Sequence, residues 1–247
     1  MDSSATDLAW RVEEACIKAC PSPRQALLEG WLVRLSGGPM RRTNSVNPQR
    51  GGDHDPRPLM TAFDRLYRAQ GQPTLYRAPS MAVGMAAALD AAGLAPQAET
   101  RTLFTEMAQP PVADAAVELL SRPSEPWFDL RFQLNGGEDA SFRRMTAAIA
   151  LPCAFAALRL EGQVAAIAYG AIDQGPMIIE AVATAPEARN RGLARRTVGT
   201  LMAWGRAQGA DAAALQVAAD NAPAVAVYQG LGFHRELYRY HYRSRPD

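Results

Sequence analysis

The spacing of apolar runs and glycines after residue 150 limits the possible folds more than any other feature of this sequence. Two apolar runs, 151–160 and 163–172, are joined by Glu161-Gly162, and a two-residue turn of this type is typical of an antiparallel hairpin. Beyond them, apolar residues alternate between strand and helix spacing, and glycines mark the ends of elements. The predicted elements are strands at 151–160, 163–172 and 176–185, a helix at 192–208, a strand at 213–219, a helix that begins at Asn221, and a strand at 234–243.

The first half of the sequence shows a weaker version of the same order. Its predicted elements are helices at 6–19, 55–72 and 80–94 and strands at 26–36, 41–46, 73–78 and 98–104.

The two halves also share a short sequence. Arg-Ala-Gln-Gly occurs at 68–71 and again at 206–209, near the end of a predicted helix each time. Chance repetition in a chain rich in alanine and arginine is the alternative to duplication, but the matching element order favours duplication. The sequence therefore predicts a domain at 1–110, a linker at 111–124 that includes Pro111, and a second domain at 125–247.

Composition and charge exclude several classes of protein. Of 247 residues, 48% are apolar and the formal net charge is +1, so a packed core is expected and a dedicated DNA-binding or polybasic membrane-binding protein is not. The three cysteines, Cys16, Cys20 and Cys153, and the scattered histidines do not form a metal-binding pattern. The sequence has no recognisable signal peptide or membrane span. We expect a cytoplasmic protein without a metal.

The segment 183–197 is the strongest functional signal. A strand leads into a loop and then into a helix, and the loop contains Arg189, Arg191 and Gly192. The first amides of a helix lack intrahelical partners and carry partial positive charge, so they bind anions. Arginine side chains add charge-assisted bonds to phosphate oxygens. The spacing matches neither a P-loop nor a dinucleotide-binding fingerprint, so the sequence predicts a phosphate site of another type.

Two motifs identify a family that this sequence resembles. "VATAPEARNRGLARR" is similar to the acetyl-CoA-binding motif Arg/Gln-x-x-Gly-x-Gly/Ala of the GCN5-related N-acetyltransferases (GNAT), with Arg189, Gly192 and Ala194 at the defining positions. "NAPAVAVYQGLGF" resembles the second signature of that family. The resemblance covers about residues 125–247 and implies an α+β fold, with a mixed, mostly antiparallel sheet flanked by helices. Residues 1–110 resemble a degenerate copy, which implies two tandem copies with one working site.

The resemblance also implies a co-substrate, acetyl-CoA, and a set of residues that bind it. The strand end offers backbone groups to the pantetheine arm, the loop and helix start hold the pyrophosphate, and Asn221 lies near the pantetheine or thioester end. The implied cofactor-binding residues are Val182, Ala183, Thr184, Arg189, Asn190, Arg191, Gly192, Leu193, Ala194, Arg195, Asn221 and Tyr228. For Arg195 and Arg196, a solvated helix face is an equal alternative.

Two residues are predicted to act in catalysis. The resemblance implies that Tyr228 donates a proton to the departing coenzyme A thiolate; packing on Leu231 is the alternative. An alkyl amine must lose its proton before it attacks a thioester, and Glu180, just before the cofactor-binding segment, is the best candidate for the base. A solvent-facing Glu180 is the alternative to that role, and Asp129 and Glu236 are other candidate bases.

The sequence is compatible with two functions and does not identify the acceptor. We expect an N-acetyltransferase in which a primary amine attacks acetyl-CoA directly in a ternary complex; the alternative is a non-catalytic acyl-CoA-binding regulatory module. A nucleic-acid partner and a membrane are not expected. We expect the acceptor to be a small-molecule or peptide amine selected by residues 124–142 and by whatever the first half adds; Trp127, Phe128 and Phe132 either line a pocket or pack in the core. The sequence does not predict the oligomeric state.

Overall fold

A computed structural model describes residues 3–135, 137 and 139–245. The helices are α1 (Ser3–Ala19), α2 (Met60–Arg68), α3 (Met85–Ala91), α4 (Glu125–Gln133), α5 (Ala140–Ala147), α6 (Leu193–Ala207) and α7 (Ala222–Gln229). The strands are β1 (Gln25–Leu28), β2 (Trp31–Arg34), β3 (Val46–Pro48), β4 (Tyr76–Pro79), β5 (Ala95–Glu106), β6 (Val117–Leu120), β7 (Cys153–Leu160), β8 (Gln163–Ile172), β9 (Pro176–Thr184), β10 (Ala212–Ala218) and β11 (Arg235–Ser244).

The described strands form one sheet in the order β1-β2-β3-β4-β11-β5-β10-β9-β8-β7-β6. Neighbours are antiparallel except for the pairs β3–β4 and β9–β10. Helix α6 packs on β7, β8 and β9, while α1 packs on β8, β9 and β11. The predicted α+β class, with a mostly antiparallel sheet flanked by helices, is confirmed, and so is the predicted order of elements after residue 150.

The sheet is continuous because the two halves exchange strands. In the first half, β11 from the end of the chain lies between β4 and β5. In the second half, β5 from the first half lies between β10 and β11. The two long strands β5 and β11 occupy equivalent places in the two halves, after α3 and α7 respectively. Each half therefore holds a strand that the other half supplies.

Two apolar clusters form the core. Along β10, Ala213 and Leu215 belong to the cluster of the second half, and Ala212 and Ala214 belong to the cluster of the first half. Successive side chains of a strand point to opposite faces, so β10 contributes to both clusters at once. The apolar run that the sequence shows at this position is the consequence of burial on both faces.

Several predictions for the first half differ from the structure. The predicted strand 26–36 is a hairpin, because Glu29 (φ 45°) and Gly30 (φ 84°) form a turn between β1 and β2. The predicted strand 41–46 is mainly a 3-10 turn, Arg41–Thr43, before β3. The predicted linker 111–124 contains β6, a strand at the sheet edge. The domain limits 1–110 and 125–247 stay a prediction, since both segments contribute to one sheet.

Among the described residues, no helix is both long and apolar enough to span a membrane.

Candidate functional site

The site begins where β9 and β10 separate. The two strands pair in parallel from Ala212 opposite Pro176 to Leu215 opposite Ile179, and this pairing stops although both strands continue. On the other edge of β9, Ala181 has a φ of 52° and the register with β8 shifts by one residue. Such a bulge bends its strand. The backbone of β9 beyond Ile179 therefore turns away from β10 and opens a gap between them.

The predicted pantetheine-binding residues lie along this gap. Ala183 and Thr184 pair with β8 on one edge only, and Val182 lies at the bulge. All three are partly exposed. In the described part of the chain, the edge of these residues that faces β10 has no strand partner, so its backbone groups are available to a ligand.

The loop before α6 is shaped for an anion. Asn190 (φ 59°) and Gly192 (φ 73°) adopt the left-handed region, and only glycine does so without steric cost. The first helical bond that follows is from the Arg196 amide to the Gly192 carbonyl. For the amides of residues 190–195 the described structure contains no hydrogen-bond acceptor. These amides, those of Leu193 and Ala194 included, are free donors at a helix N-terminus.

The arginines around this loop differ in what they contact. Arg189, Arg191 and Arg195 are exposed and have no acidic partner among the described residues. Arg196 donates from Nε to Asp114 Oδ2 at 2.5 Å, and this bond raises its pKa. The two arginines for which a solvated helix face was the alternative to phosphate contact therefore differ. Arg196 is neutralised within the protein, and Arg195 is available to a ligand.

Helix α7 carries a buried tyrosine within electrostatic range of Glu180. Asn221 begins the helix, and its Oδ1 accepts a hydrogen bond from the Ala224 amide at 3.2 Å. Tyr228 is buried, and its ring lies edge-on to Phe233 with 6.2 Å between centroids. Burial raises the pKa of the Tyr228 phenol, and the negative charge of Glu180 raises it further. Tyr228 is therefore a protonated phenol within the electrostatic influence of Glu180.

Glu180 is held by an arginine that no sequence pattern singles out. Its side chain is only 3% exposed, so it does not face solvent. Arg42, on the 3-10 turn of the first half, donates from Nη1 to Glu180 Oε1 at 2.5 Å and lies 3.4 Å from Gln216 Oε1. Burial lowers the pKa of Arg42, but the charge and hydrogen bond of Glu180, together with Cys20 and Tyr240, outweigh this and raise the pKa well above its usual value. The first half thus contributes a side chain to the site.

The other candidate bases lie elsewhere. Asp129 is exposed on α4. Glu236 lies on β11, which β5 separates from β10, and it accepts hydrogen bonds from Arg101 and Arg239 at 2.5 Å each. Neither carboxylate lies on β9 or β10, the strands that border the gap.

The aromatic residues of α4 are mostly core residues. Trp127 is fully buried, and its Nε1 donates to the Ala156 carbonyl at 3.1 Å. Phe128 and Phe132 stack on each other with 5.6 Å between centroids. Phe132 also borders a cavity of about 330 Å³. Trp127 and Phe128 are core residues, whereas Phe132 both packs in the core and lines the cavity.

This fold and site define the class of protein as an acyltransferase of the GNAT superfamily. The chain belongs to the family described as probable histone acetyltransferase Rv0428c, C-terminal, whose model matches residues 9–243. A comparison with curated proteins gives no significant match.

Solved structures show the same fold at low sequence identity. A GCN5-related N-acetyltransferase from Kribbella flavida superposes with a TM-score of 0.71 at 17% identity, over 100% of this chain and 97% of that chain. A putative GNAT-family acetyltransferase from Novosphingobium aromaticivorans gives 0.58 at 18% identity, over 93% and 96%. A tandem GNAT protein from the clavulanic acid biosynthesis pathway gives 0.60 at 14% identity, over 82% and 76%. The predicted superfamily and the tandem form are confirmed.

Proposed function

We propose that this protein is a cytoplasmic N-acetyltransferase that moves an acetyl group from acetyl-CoA to a primary amine. The observation that carries the proposal is the arrangement around the β9–β10 gap: free amides and unpaired arginines at one end, and Tyr228 and Glu180 where the strands separate. The acyltransferase family of the chain supports acyl transfer. The three free thiols of the described chain are consistent with a reducing compartment.

The residues at the gap fit the chemistry of coenzyme A. Its phosphates need donors and positive charge, which the amides of residues 190–195 and the side chains of Arg189, Arg191 and Arg195 supply. Its pantetheine amides need an unpaired strand edge, which Val182–Thr184 supplies. When bound, acetyl-CoA supplies an activated thioester carbonyl.

Glu180 and Tyr228 then manage the protons of a direct transfer. An amine nitrogen must be neutral to attack, although its usual pKa is well above 7. Glu180 Oε1 is paired with Arg42, but no protein partner is described for Oε2, so Oε2 takes the amine proton, directly or through water. A new N–C bond forms as the C–S bond breaks, the nitrogen passes its second proton to water, and Tyr228 gives its proton to the departing sulfur and regains one from solvent. Proximity in the ternary complex supplies much of the rate.

The experiment that tests this function is thiol release. The full-length protein is incubated with acetyl-CoA and a panel of amines that includes amino acids, small-molecule amines, and peptides with free N-termini or lysine side chains. We expect free coenzyme A to appear only with an acceptor, and the acceptor to gain the mass of one acetyl group. Tight acetyl-CoA binding without turnover on the whole panel would contradict the enzyme assignment.

A second candidate function is a non-catalytic acyl-CoA-binding regulatory module. The ion pair between Arg42 and Glu180 favours it, because one oxygen of the proposed base is already occupied. In that case acetyl-CoA binds and no amine is acetylated. Substitution of Arg42 by alanine discriminates the two: an enzyme changes its turnover, whereas a binding module keeps its affinity and has no turnover to lose.

The proposed partner is the amine acceptor alone. A net charge of +1 offers no electrostatic reason for a nucleic acid or a membrane surface as a partner. Whether the acceptor is a small molecule or a peptide depends on the cavity beside Arg42.

A further inference from the structure

A cleft bordered by the loop that carries Arg42 is built from both halves of the chain. It encloses about 330 Å³ between the loop 37–44 of the first half and helices α4 and α5 of the second. Ligand pockets commonly begin at about 300 Å³, so the cleft suits a small molecule. The described residues that matter most to its chemistry are Met40, Arg131, Phe132, Asp139 and Phe142.

The loop 37–44 joins this cleft to the proposed reaction centre. Met40 borders the cleft, and Arg42, two residues later, contacts Glu180. On the other side, Gly38 lies directly against α5: a Cβ atom at this position would come within 1.9 Å of Ser141 Oγ. The loop is therefore fitted between α5 and the β9–β10 gap, and only a residue without a side chain fits at position 38.

Arg131 places an unneutralised guanidinium in the cleft. It lies over the ring of Phe142, 4.6 Å from the centroid, and its buried Nε has no hydrogen-bond partner. No ion pair with Arg131 occurs within the described residues. A buried donor without an acceptor costs free energy. Burial lowers the pKa of Arg131 and the positive charge of Arg42 lowers it further, so a negative charge in the cleft would relieve both effects.

The acidic residue of the cleft does not supply that charge by contact. Asp139 Oδ1 accepts hydrogen bonds from the amides of Ser141 and Phe142 at 2.9 and 3.2 Å and from Ser141 Oγ at 2.5 Å. These bonds cap the N-terminus of α5. Asp139 binds the N-terminus of α5 and does not pair with Arg131, so Arg131 is available to a ligand.

We propose that this cleft binds the acceptor and that the acceptor is a small amine carrying a carboxylate, which Arg131 holds. A guanidinium binds a carboxylate through two parallel hydrogen bonds, which fixes orientation as well as position. Met40, Phe132 and Phe142 provide apolar contacts for the rest of the molecule. An amino acid has this chemistry: the carboxylate lies at Arg131 and the amine points towards Glu180. The inference rests on the proposed function.

Matched acceptors test the carboxylate. The twenty L-amino acids and the corresponding L-amino acid amides are compared as acceptors by thiol release, because each amide keeps the amine and side chain and loses the negative charge. Loss of the carboxylate also lowers the pKa of the amine, so rates are compared per concentration of neutral amine. We expect kcat/KM for at least one acid to exceed that of its amide by about 10- to 100-fold, as for a hydrogen bond to a charged group. Equal rates for acids and amides, or a preference for amides or peptides, would overturn the inference while leaving the acetyltransferase function intact.

Variants assign the preference to Arg131. Arg131→Met should lower kcat/KM for the acids much more than for the amides, so that the ratio between them falls towards one, and should keep the affinity for acetyl-CoA. Arg144→Met is the matched control, since Arg144 is an exposed arginine on the adjacent helix α5. Gly38→Ala should raise KM for the same acids by displacing the loop from Ser141. An acid preference that survives Arg131→Met would assign the carboxylate to another residue and overturn the proposal.

A binding measurement separates failure of this inference from failure of the proposed function. Each of the twenty acids, paired with its amide, is titrated calorimetrically into the full chain with coenzyme A present, whether or not it is acetylated. Arg131-dependent binding of the acid without any turnover would support the ligand class and contradict the acetyltransferase. Absence of binding and of turnover for both compounds of every pair would overturn the inference.

Discussion

From their first β-hairpin onward, the two halves of this protein have the same order of helices and strands, yet the loop before α6 presents free donors to a ligand and the corresponding end of the loop before α2 does not. In the first half, β3 and β4 pair only at Val46 and Tyr76, and the chain then enters the loop before α2. In the second half, β9 and β10 pair over four residue pairs before they separate, and the chain then enters the loop before α6. The difference therefore lies in the loops more than in the fold.

Where the first half enters α2, between residues 55 and 60, every described position is either proline or has an amide with an acceptor. Pro56 and Pro58 carry no N–H. The amides of Asp55 and Arg57 donate to the carboxylates of Asp53 and Asp55, each at 3.0 Å. The side chain of Arg57 is also bound by Asp55, which raises the pKa of Arg57. In the first half, the amides that lead into α2 are thus hydrogen-bonded by carboxylates of the same loop. In the second half, the amides and arginines that lead into α6 are available to a ligand.

The largest effect is expected from changes to the loop before α6. Arg189→Ala combined with Gly192→Asp removes one cation and places a carboxylate among the free amides, so acetyl-CoA affinity should fall by at least about 100-fold, the loss of more than one charge-assisted bond. Isothermal titration of the folded variant measures this. The corresponding pair in the first half, Arg57→Ala with Gly51→Asp, is the control and should leave affinity unchanged.

The same titration of the wild-type protein counts the sites. We expect about one acetyl-CoA per chain, because the first half has no free amides where its loop enters α2. Two equivalent sites, or loss of binding in the first-half control, would show that the comparison of the loops is wrong.

The next largest effect is expected at Tyr228. Tyr228→Phe keeps the ring and its contact with Phe233 and removes the proton donor. Turnover should fall on the order of a hundredfold, as for loss of a general acid, while acetyl-CoA affinity stays within a few-fold. Tyr67→Phe is a control from the first half, since Tyr67 is a buried tyrosine whose hydroxyl donates to the Arg34 carbonyl. Full turnover of Tyr228→Phe would leave this tyrosine as a core residue only.

A smaller effect is expected at Glu180. Glu180→Gln removes the proposed base, and turnover should fall roughly tenfold at neutral pH, less than the usual range for a base because water can also take the proton. The loss should shrink as the pH approaches the usual pKa of the amine, about 10, because the acceptor is then already neutral. Glu236→Gln is the control. A loss that is equal at every pH would indicate that Glu180 positions groups without acting as a base.

The smallest effect concerns the alkaline side of the pH profile. A phenol donates a proton only while it is neutral, and burial together with Glu180 raises the pKa of Tyr228 from its usual value near 10. Deprotonation of Tyr228 is therefore shifted to higher pH, and wild-type turnover should not decline between pH 7 and pH 10. A decline in this range that disappears in Tyr228→Phe would show that the phenol ionises there.

The sequence was most informative where local chemistry decides structure. The turn at Glu161-Gly162, the Asn221 cap and the left-handed Gly192 each follow from preferences of a few neighbouring residues. The same reasoning missed an identical pair, Glu29-Gly30, because the apolar residues on both sides look like one strand.

The sequence was least informative about contacts between the halves. Arg42 and Arg131 are two of many arginines, and no local pattern distinguishes them. Their importance comes from partners that are distant in sequence, Glu180 for the first and the loop around Met40 for the second. The aromatic residues around Arg131 drew attention to residues 124–142, but they are mainly core residues. The residues expected at the gap stay predictions, with the geometry as their support.

The exchange of β5 and β11 sets the order in which this chain can acquire its structure. Strands β4 and β5 of the first half have no pairing with each other, because β11 lies between them. A ribosome therefore synthesises the first half well before the strand that completes it, and the unpaired edges of β4 and β5 must wait for residues 235–244. Pairings this distant in sequence slow folding. Loss of the last ten to fifteen residues is expected to damage the beginning of the protein as much as its end, and limited proteolysis of a chain truncated after residue 233 should cut first in the region of β1 to β4.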